Sequence, residues 1–280
     1  MLEIGAYHNL KIDRDTSPGL FLVNDEGDEV LLPGQYMPKE FEIGDELRVY
    51  VYLDNDERPV ATTLKPLIEK DGFAFLRCTD VSSIGAFVDW GIEKQLFVPF
   101  ANQVTPMKKG QYYVTHMYLD EKSNRLVGST KLNNFLKNEN VDVSKFDKVE
   151  IMVSHYSDNG ANVIINGKYK GLVYKDTIFE DLRVGDKLPA YIKRVREDGK
   201  IDVLLQPEGY KSVEPNANYI LDEIKANGGR LNLHDKSSPE EIQAQLGLSK
   251  KSFKKAVGVL YKERQIDILE DSIVLKEKSF

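Results

Sequence analysis

A single cysteine, Cys78, leaves the 280-residue chain without a partner for an internal disulfide. It lies in a strand-like run, Phe73 to Cys78, and reads as core filler rather than a reactive thiol. No apolar run approaches the roughly 18–20 residues that cross a bilayer. Met1 to Leu10 lacks the basic start and apolar stretch of a secretory signal. Together these absences fit a cytoplasmic protein with no membrane partner. The four histidines, His8, His116, His155 and His234, are scattered, with no carboxylate or cysteine at metal-ligand spacing. There is no phosphate-binding loop, no Gly-x-Ser-x-Gly and no His-Glu-x-x-His. Asp25, Asp28 and Glu29 lack the glycine and closing glutamate of a calcium loop and read as an acidic turn. The sequence therefore predicts no enzyme and no cofactor or metal.

The net charge of −7 argues at first against nucleic acid. Its distribution changes that. Residues 1–65 hold 6 Lys and Arg against 14 Asp and Glu, whereas residues 66–132 hold 8 against 7. Residues 133–207 and 208–280 each hold 12 of either sign. The acid excess is confined to the first quarter, and basic faces remain open elsewhere.

What the chain does have is one pattern written three times. Gly19-Leu20-Phe21-Leu22-Val23, Gly85-Ala86-Phe87-Val88-Asp89 and Gly160-Ala161-Asn162-Val163-Ile164 begin the copies. Leu31-Leu32-Pro33, Phe97-Val98-Pro99 and Leu172-Val173-Tyr174 follow at equal distance, and Gly44, Gly110 and Gly185 each fall 25 positions after the first glycine. Such repetition decides the architecture before any single residue does. The second copy reads as strands over Phe73–Cys78, Gly85–Trp90, Gln95–Val98, Tyr112–Leu119 and Leu126–Thr130. The third reads as Val149–His155, Asn162–Asn166, Tyr169–Val173, Lys187–Val195 and Ile201–Leu205, with Asn166-Gly167 as a tight-hairpin signal. Five short strands with a glycine-punctuated middle predict a small closed barrel. Gly19, Gly85 and Gly160 are expected at barrel corners rather than at a ligand, and Gly44, Gly110 and Gly185 in turns.

After Pro207 the period changes. Asn218 to Asn227 has helical spacing and stops at Gly228-Gly229. Ser238-Pro239-Glu240-Glu241 is a helix start, and Gly247 ends that helix. Ser249 caps a third helix with Phe253, Val257, Leu260 and Tyr261 on one face. Gln265–Leu269 and Ser272–Lys276 read as a hairpin. Three helices and a hairpin predict a winged helix. The fold class expected is mainly β with a C-terminal α+β domain: three tandem five-stranded barrels, at 1–65, 66–132 and 145–207, of the OB type by the resemblance given below, then a winged-helix domain at 214–280. Asn133 to Ser144 is expected to be a hinge or spacer, and the stretches near Pro66 and Pro207 to be stiff linkers.

Gly-x-Phe-Val, then Gly171-Leu172-Val173 and Val184-Gly185-Asp186, resembles the S1-type RNA-binding OB repeat. The whole chain resembles the conserved virulence factor B family. That resemblance implies single-stranded RNA binding and post-transcriptional control of gene expression, virulence included, in a Gram-positive bacterium. OB barrels stack bases on aromatics of the second and third strands and hold phosphates with basic loops. Phe21 and Phe87 match the family's outward aromatic, whereas Asn162 replaces it in the third copy. Tyr174 falls where the family carries a histidine, a position taken by Pro33 and Pro99 in the other copies. Trp90 and Phe100 are further stacking candidates, open also to a core role. Lys108 and Lys109 in the second copy, and Lys168, Lys170, Lys193, Arg194 and Arg196 in the third, are the candidate phosphate contacts. Lys250, Lys251, Lys254 and Lys255 line the third helix, either as a contact to duplex nucleic acid or as a solvated face. That helix has no Arg, Asn or Gln for base readout. The acidic first copy suits a protein partner. A DNA-binding regulator using the winged helix and a protein-interaction scaffold are the competing expectations.

Overall fold

The computed structural model describes residues 2–178, 181–207 and 215–276. The linker expected just past Pro207 and residues 277–280 lie outside the described residues. The chain divides into two units, Met1–Glu208 and Gly209–Phe280. Among the described residues, no helix is long and apolar enough to cross a membrane.

The first unit is three closed five-stranded barrels. The first is built from β1 (Ala6–Thr16), β2 (Gly19–Val23), β3 (Glu29–Pro33), β4 (Glu46–Leu53) and β5 (Pro59–Thr62). The second uses β6 (Phe73–Val81), β7 (Gly85–Asp89), β8 (Leu96–Pro99), β9 (Tyr112–Asp120) and β10 (Arg125–Ser129). The third uses β11 (Lys148–Ser157), β12 (Gly160–Ile165), β13 (Tyr169–Tyr174), β14 (Lys187–Val195) and β15 (Ile201–Leu204). In each, the first three strands form a meander, the third pairs in parallel with the fifth, and the fourth closes onto the first. The strand alternation that sends Leu20, Leu22, Leu32 and Val49 inward in the first barrel recurs in the other two.

Closure needs steep bending, and two devices supply it at equivalent places. The first strand of each barrel carries a register shift, at Ile12/Arg14, Cys78/Asp80 and Val153/His155, because a bulge bends a strand and raises its twist. The opening glycine of the second strand then passes almost against the third. A Cβ on Gly19 would lie 2.1 Å from the Leu32 carbonyl oxygen, and one on Gly160 at the same distance from that of Val173. Both have φ near +145°. The expected corner role is a close approach of two backbones. Asn166 and Gly167 both take positive φ, as the hairpin signal required.

Packing joins neighbouring barrels. Trp90 is 2% exposed and meets Tyr50 and Tyr52 of the first barrel edge-on, at 6.0 and 6.4 Å between centroids. Its indole N–H donates to the Lys94 carbonyl. Pro66 and Ile68, in the link between these barrels, are both buried. Asn133–Ser144, expected as a hinge or spacer, is packed between barrels. The segment is not a free hinge: Leu136 is buried with Phe73, Val114, Met152 and Ile164 between the second and third barrels. Asn138 donates to the carbonyls of Lys170 and Gly199 and accepts from the Lys170 N–H. Polar composition suggests a spacer, but the leucine and phenylalanine within it are the glue.

Phe135 of that segment stacks on His116, 4.0 Å between centroids, with Phe73 on the ring as well. His116 is 4% exposed, and its Nδ1–H donates to the Gly72 carbonyl at 2.9 Å. Burial holds its pKa below the usual value, against weaker opposing effects of the Gly72 carbonyl and Asp71. An unfolded histidine titrates at about 6.5. Below that the unfolded chain takes up a proton that the folded ring refuses, so stability falls with acid until the folded value is reached. Melting of the wild type is expected to drop by several degrees from pH 7.5 to 5.5. A His116→Gln variant, which retains a donor but cannot titrate, should show a flatter profile. Parallel profiles for the two would remove His116 as the cause.

The second unit is α1 (Pro215–Ala226), β16 (Arg230–Leu231), α2 (Pro239–Leu246), α3 (Lys250–Lys262), β17 (Ile266–Ile268) and β18 (Ile273–Leu275), with sheet order β16-β18-β17. Ser238 and Glu241 form a capping box, Gly247 ends α2 with φ +67°, and Ser249 caps α3 through the Ser252 N–H. Phe253, Ala256, Val257 and Leu260 fill the core with Ile220, Ile224, Ile242 and Leu246. Tyr261, expected on the apolar face, is instead 55% exposed, whereas Ala256 is fully buried.

Candidate nucleic-acid interface

The same register position of the second and third strands recurs in each barrel and carries a different pair of side chains. Phe21 faces Leu31 in the first, Phe87 faces Phe97 in the second, and Asn162 faces Leu172 in the third. Only the second barrel has two aromatic rings there. They are half-buried and 5.3 Å apart at their centroids, tilted by 39°. Leu96 and Val98 turn inward, so period two sends Phe97 outward beside Phe87.

These rings open onto a groove of about 320 Å³. Ile84, Lys94 and Arg125 line it with them. Arg125 pairs with Glu57, and Lys94 donates to the Asp54 carbonyl at 2.6 Å. Burial lowers the Lys94 pKa, with Asp54 opposing. Phe100 stands on the short helical turn after β8, 47% exposed, next to exposed Ile84 through the Phe100 N–H to Ile84 carbonyl bond. Trp90 touches the groove but is covered by the tyrosines of the first barrel, so it offers no face for stacking. Its aromatic bulk is used in joining two barrels. Lys108 and Lys109 lie in the turn before β9, both exposed, and Lys109 faces Asp80 at 3.3 Å.

The first barrel has the aromatic but not the opening. The Arg14 guanidinium lies 4.2 Å over the Phe21 ring. Glu29 holds Arg14 by two hydrogen bonds of 2.8 and 2.9 Å, and Asp13 adds a third. The ring that the sequence marks as a platform is thus capped from within, in the barrel with most acid.

In the third barrel the structure draws together Tyr174, Arg194 and Arg196 around Asp202, a residue that no sequence motif marks. Asp202 is 2% exposed and accepts from Arg194 at 2.6 Å and from Arg196 at 2.8 and 3.1 Å. Arg196 also donates to the Tyr174 hydroxyl. Burial would raise the Asp202 pKa, but the bonds from Arg196 and Arg194 outweigh it and hold the carboxyl below the usual range. The aspartate fixes two guanidinium groups at the surface, where bidentate recognition of phosphate is natural to arginine. The signal that could have found it is alternation: inward Ile201 and Val203 flank an aspartate that ought to be exposed and is not. Lys193 is half-buried, and Lys168 faces Asp142 at 3.3 Å. Lys170 is exposed on β13.

On the second unit, Lys251, Lys254 and Lys255 are exposed along α3, while Lys250 is half-buried at its start. Lys254 faces Asp235 at 3.3 Å. Tyr261 and Lys262 are exposed on the last turn of α3. Cys78 is buried, and burial pushes its thiol pKa up. Among the described residues no group of three His, Cys, Asp or Glu side chains is placed to hold a metal.

Residues 4–64 match the model of the S1 domain, and residues 218–275 that of the CvfB-like winged helix domain. The chain is 28% identical to the uncharacterized protein YitL of Bacillus subtilis, over 94% of this chain and 90% of that one. It is 25% identical to conserved virulence factor B of Staphylococcus aureus, over 86% of this chain and 83% of that one. A solved multidomain protein with nucleic acid binding domains from Streptococcus pneumoniae is 25% identical, with 97% and 98% of the chains covered and a TM-score of 0.43. The resemblance to the conserved virulence factor B family is borne out.

Proposed function

We propose that this chain, which carries an S1 domain and a CvfB-like winged helix, is a non-enzymatic protein that binds single-stranded RNA and acts in post-transcriptional control. Its domain content supports nucleic-acid binding. The preference for single strands rests on one observation: Phe87 and Phe97 lie side by side at the position where OB barrels stack bases, and the equivalent pair is capped in the first barrel and aliphatic–amide in the third. Stacking is tolerant of sequence, because every base has a π-face. Arg194, Arg196 and the α3 lysines supply cations for the backbone, and the acidic first barrel, with Phe21 covered, leaves its surface to a protein partner. A regulatory role, including one in virulence, follows the names of the relatives.

A titration of the full chain against single-stranded RNA, duplex RNA and duplex DNA at 50 and 200 mM salt tests this. Single-stranded RNA is expected to bind tightest, with micromolar or stronger affinity at low salt. Each neutralised phosphate adds about 0.7 to the log–log salt slope for a single strand, so several of them should weaken binding by tenfold or more across this range. Duplex DNA outcompeting single-stranded RNA would move the function to α3 and the winged helix. No binding at low salt would leave a protein-interaction scaffold.

A further inference from the structure

We propose that the cleft between the second and third barrels holds one unstacked base of a single-stranded RNA. This rests on the reading of the chain as a single-strand binder and adds a contact that shares no residue with the Phe87–Phe97 groove. The cleft encloses about 540 Å³, within the roughly 300–1,000 Å³ usual for small-molecule sites. The second barrel contributes Tyr112, the connecting segment Lys131 and Asn134, and the third barrel His155, Asn162 and Lys170.

No Asp or Glu lines the cleft, although the chain has 45 of them. Elsewhere in this unit several cations face an exposed carboxylate: Lys109 has Asp80, Lys168 has Asp142 and Arg125 has Glu57. The side chains of Lys131 and Lys170 make no ion pair among the described residues. They remain available for a phosphate.

The wall and the polar groups suit a base. Tyr112 is exposed and fixed, its ring against Phe75 at 5.3 Å between centroids. Phe75 in turn lies on Gly185, where a Cβ would fall 2.4 Å from the phenyl ring, so this turn glycine also seats the aromatic pair. The Ser154 hydroxyl donates to the Asn162 carbonyl at 2.9 Å. The same hydroxyl lies 3.0 Å from His155 Nδ1, and the ring's Nε2 makes no hydrogen bond among the described residues. Asn162 gives its amide N–H to Ser157 and retains Oδ1. The Asn134 side chain makes no hydrogen bond among the described residues and offers both donor and acceptor. Donors and acceptors beside an aromatic wall are what the edge and face of an extruded base require. The asparagine that replaces the stacking phenylalanine in the third copy thus has a use of its own.

The test uses the full chain and a mixed-sequence 12-nucleotide single-stranded RNA carrying 4-thiouridine. Lys131 and Asn134 are exposed and unbonded through their side chains, so a Lys131→Ala/Asn134→Ala variant should melt as the wild type does. It is expected to bind five- to twentyfold more weakly. Irradiation of the wild-type complex should crosslink the RNA to the peptides holding Tyr112 or His155, and the variant should lose that product. Undiminished affinity, or crosslinks confined to the Phe87 and Phe97 peptides, overturns the cleft while leaving single-strand binding in place. If the wild type does not bind the RNA at all, the cleft and the broader reading fall together.

Discussion

A Phe87→Ala variant is expected to lose roughly 1–3 kcal/mol of single-stranded RNA affinity, the usual worth of one stacked base. That is a fall of about five- to 150-fold at constant salt. Phe97→Ala should do nearly the same, and the double variant less than the sum, because the rings form one surface and changes at touching residues do not add. Phe21→Ala is the control. Its ring is already stacked by Arg14, so its removal should alter affinity by less than twofold. The salt slope should be unchanged in all four, since the cations that meet the phosphates are untouched. Each variant needs a melting curve, because Phe87 and Phe97 are half-buried and pack on one another. A folded Phe87→Ala protein that binds as tightly as the wild type would remove the platform from the second barrel. A large loss at Phe21 instead would mean that Arg14 swings aside for the base.

The largest effect on stability is expected at Gly160. A methyl group there meets the Val173 carbonyl oxygen at 2.1 Å, and φ of +144° is closed to L-residues with a side chain. The β12–β13 pair would have to separate just where the barrel closes. A destabilisation of about 4 kcal/mol or more follows, in the range reserved for severe single substitutions. Gly44→Ala is the comparison. It too has positive φ, +97°, but nothing stands within 4 Å of an added Cβ. Its cost should be about 1–2 kcal/mol, from the backbone alone. Chemical denaturation of both variants decides the matter; equal losses would mean that the strand approach carries no special cost.

Spacing alone treats these two glycines as corner and turn, and the structure agrees with both. What it adds is the close approach that makes one of them irreplaceable. The same division runs through the candidate interface. Phe87 is visible in the sequence because it repeats a motif. Phe97 is not, although it sits in the repeated Phe97-Val98-Pro99, because its partner across the sheet is set by register and not by motif. Asp202 is invisible because a lone aspartate in a strand reads as solvent-exposed, and only its two arginines explain its burial. Trp90 misleads because an aromatic near a binding motif and an aromatic between two barrels look alike in one dimension. Asn133–Ser144 looks like a spacer for a similar reason: its polar residues are counted easily, whereas the partners of Phe135 and Leu136 come from two different barrels.

By itself the sequence determined the three closed barrels and the winged helix. Periodicity, turn residues and caps act over a few positions, and here they agree in every copy. It also determined that the acid lies in the first barrel. The tertiary structure alone decided which aromatic faces are open, which arginines are held at the surface, and that the second and third barrels enclose a cleft without a carboxylate. Those properties depend on neighbours far apart in the chain. A ring becomes a platform or a cornerstone, and a lysine remains charged to the outside or is neutralised, according to what the fold places beside it.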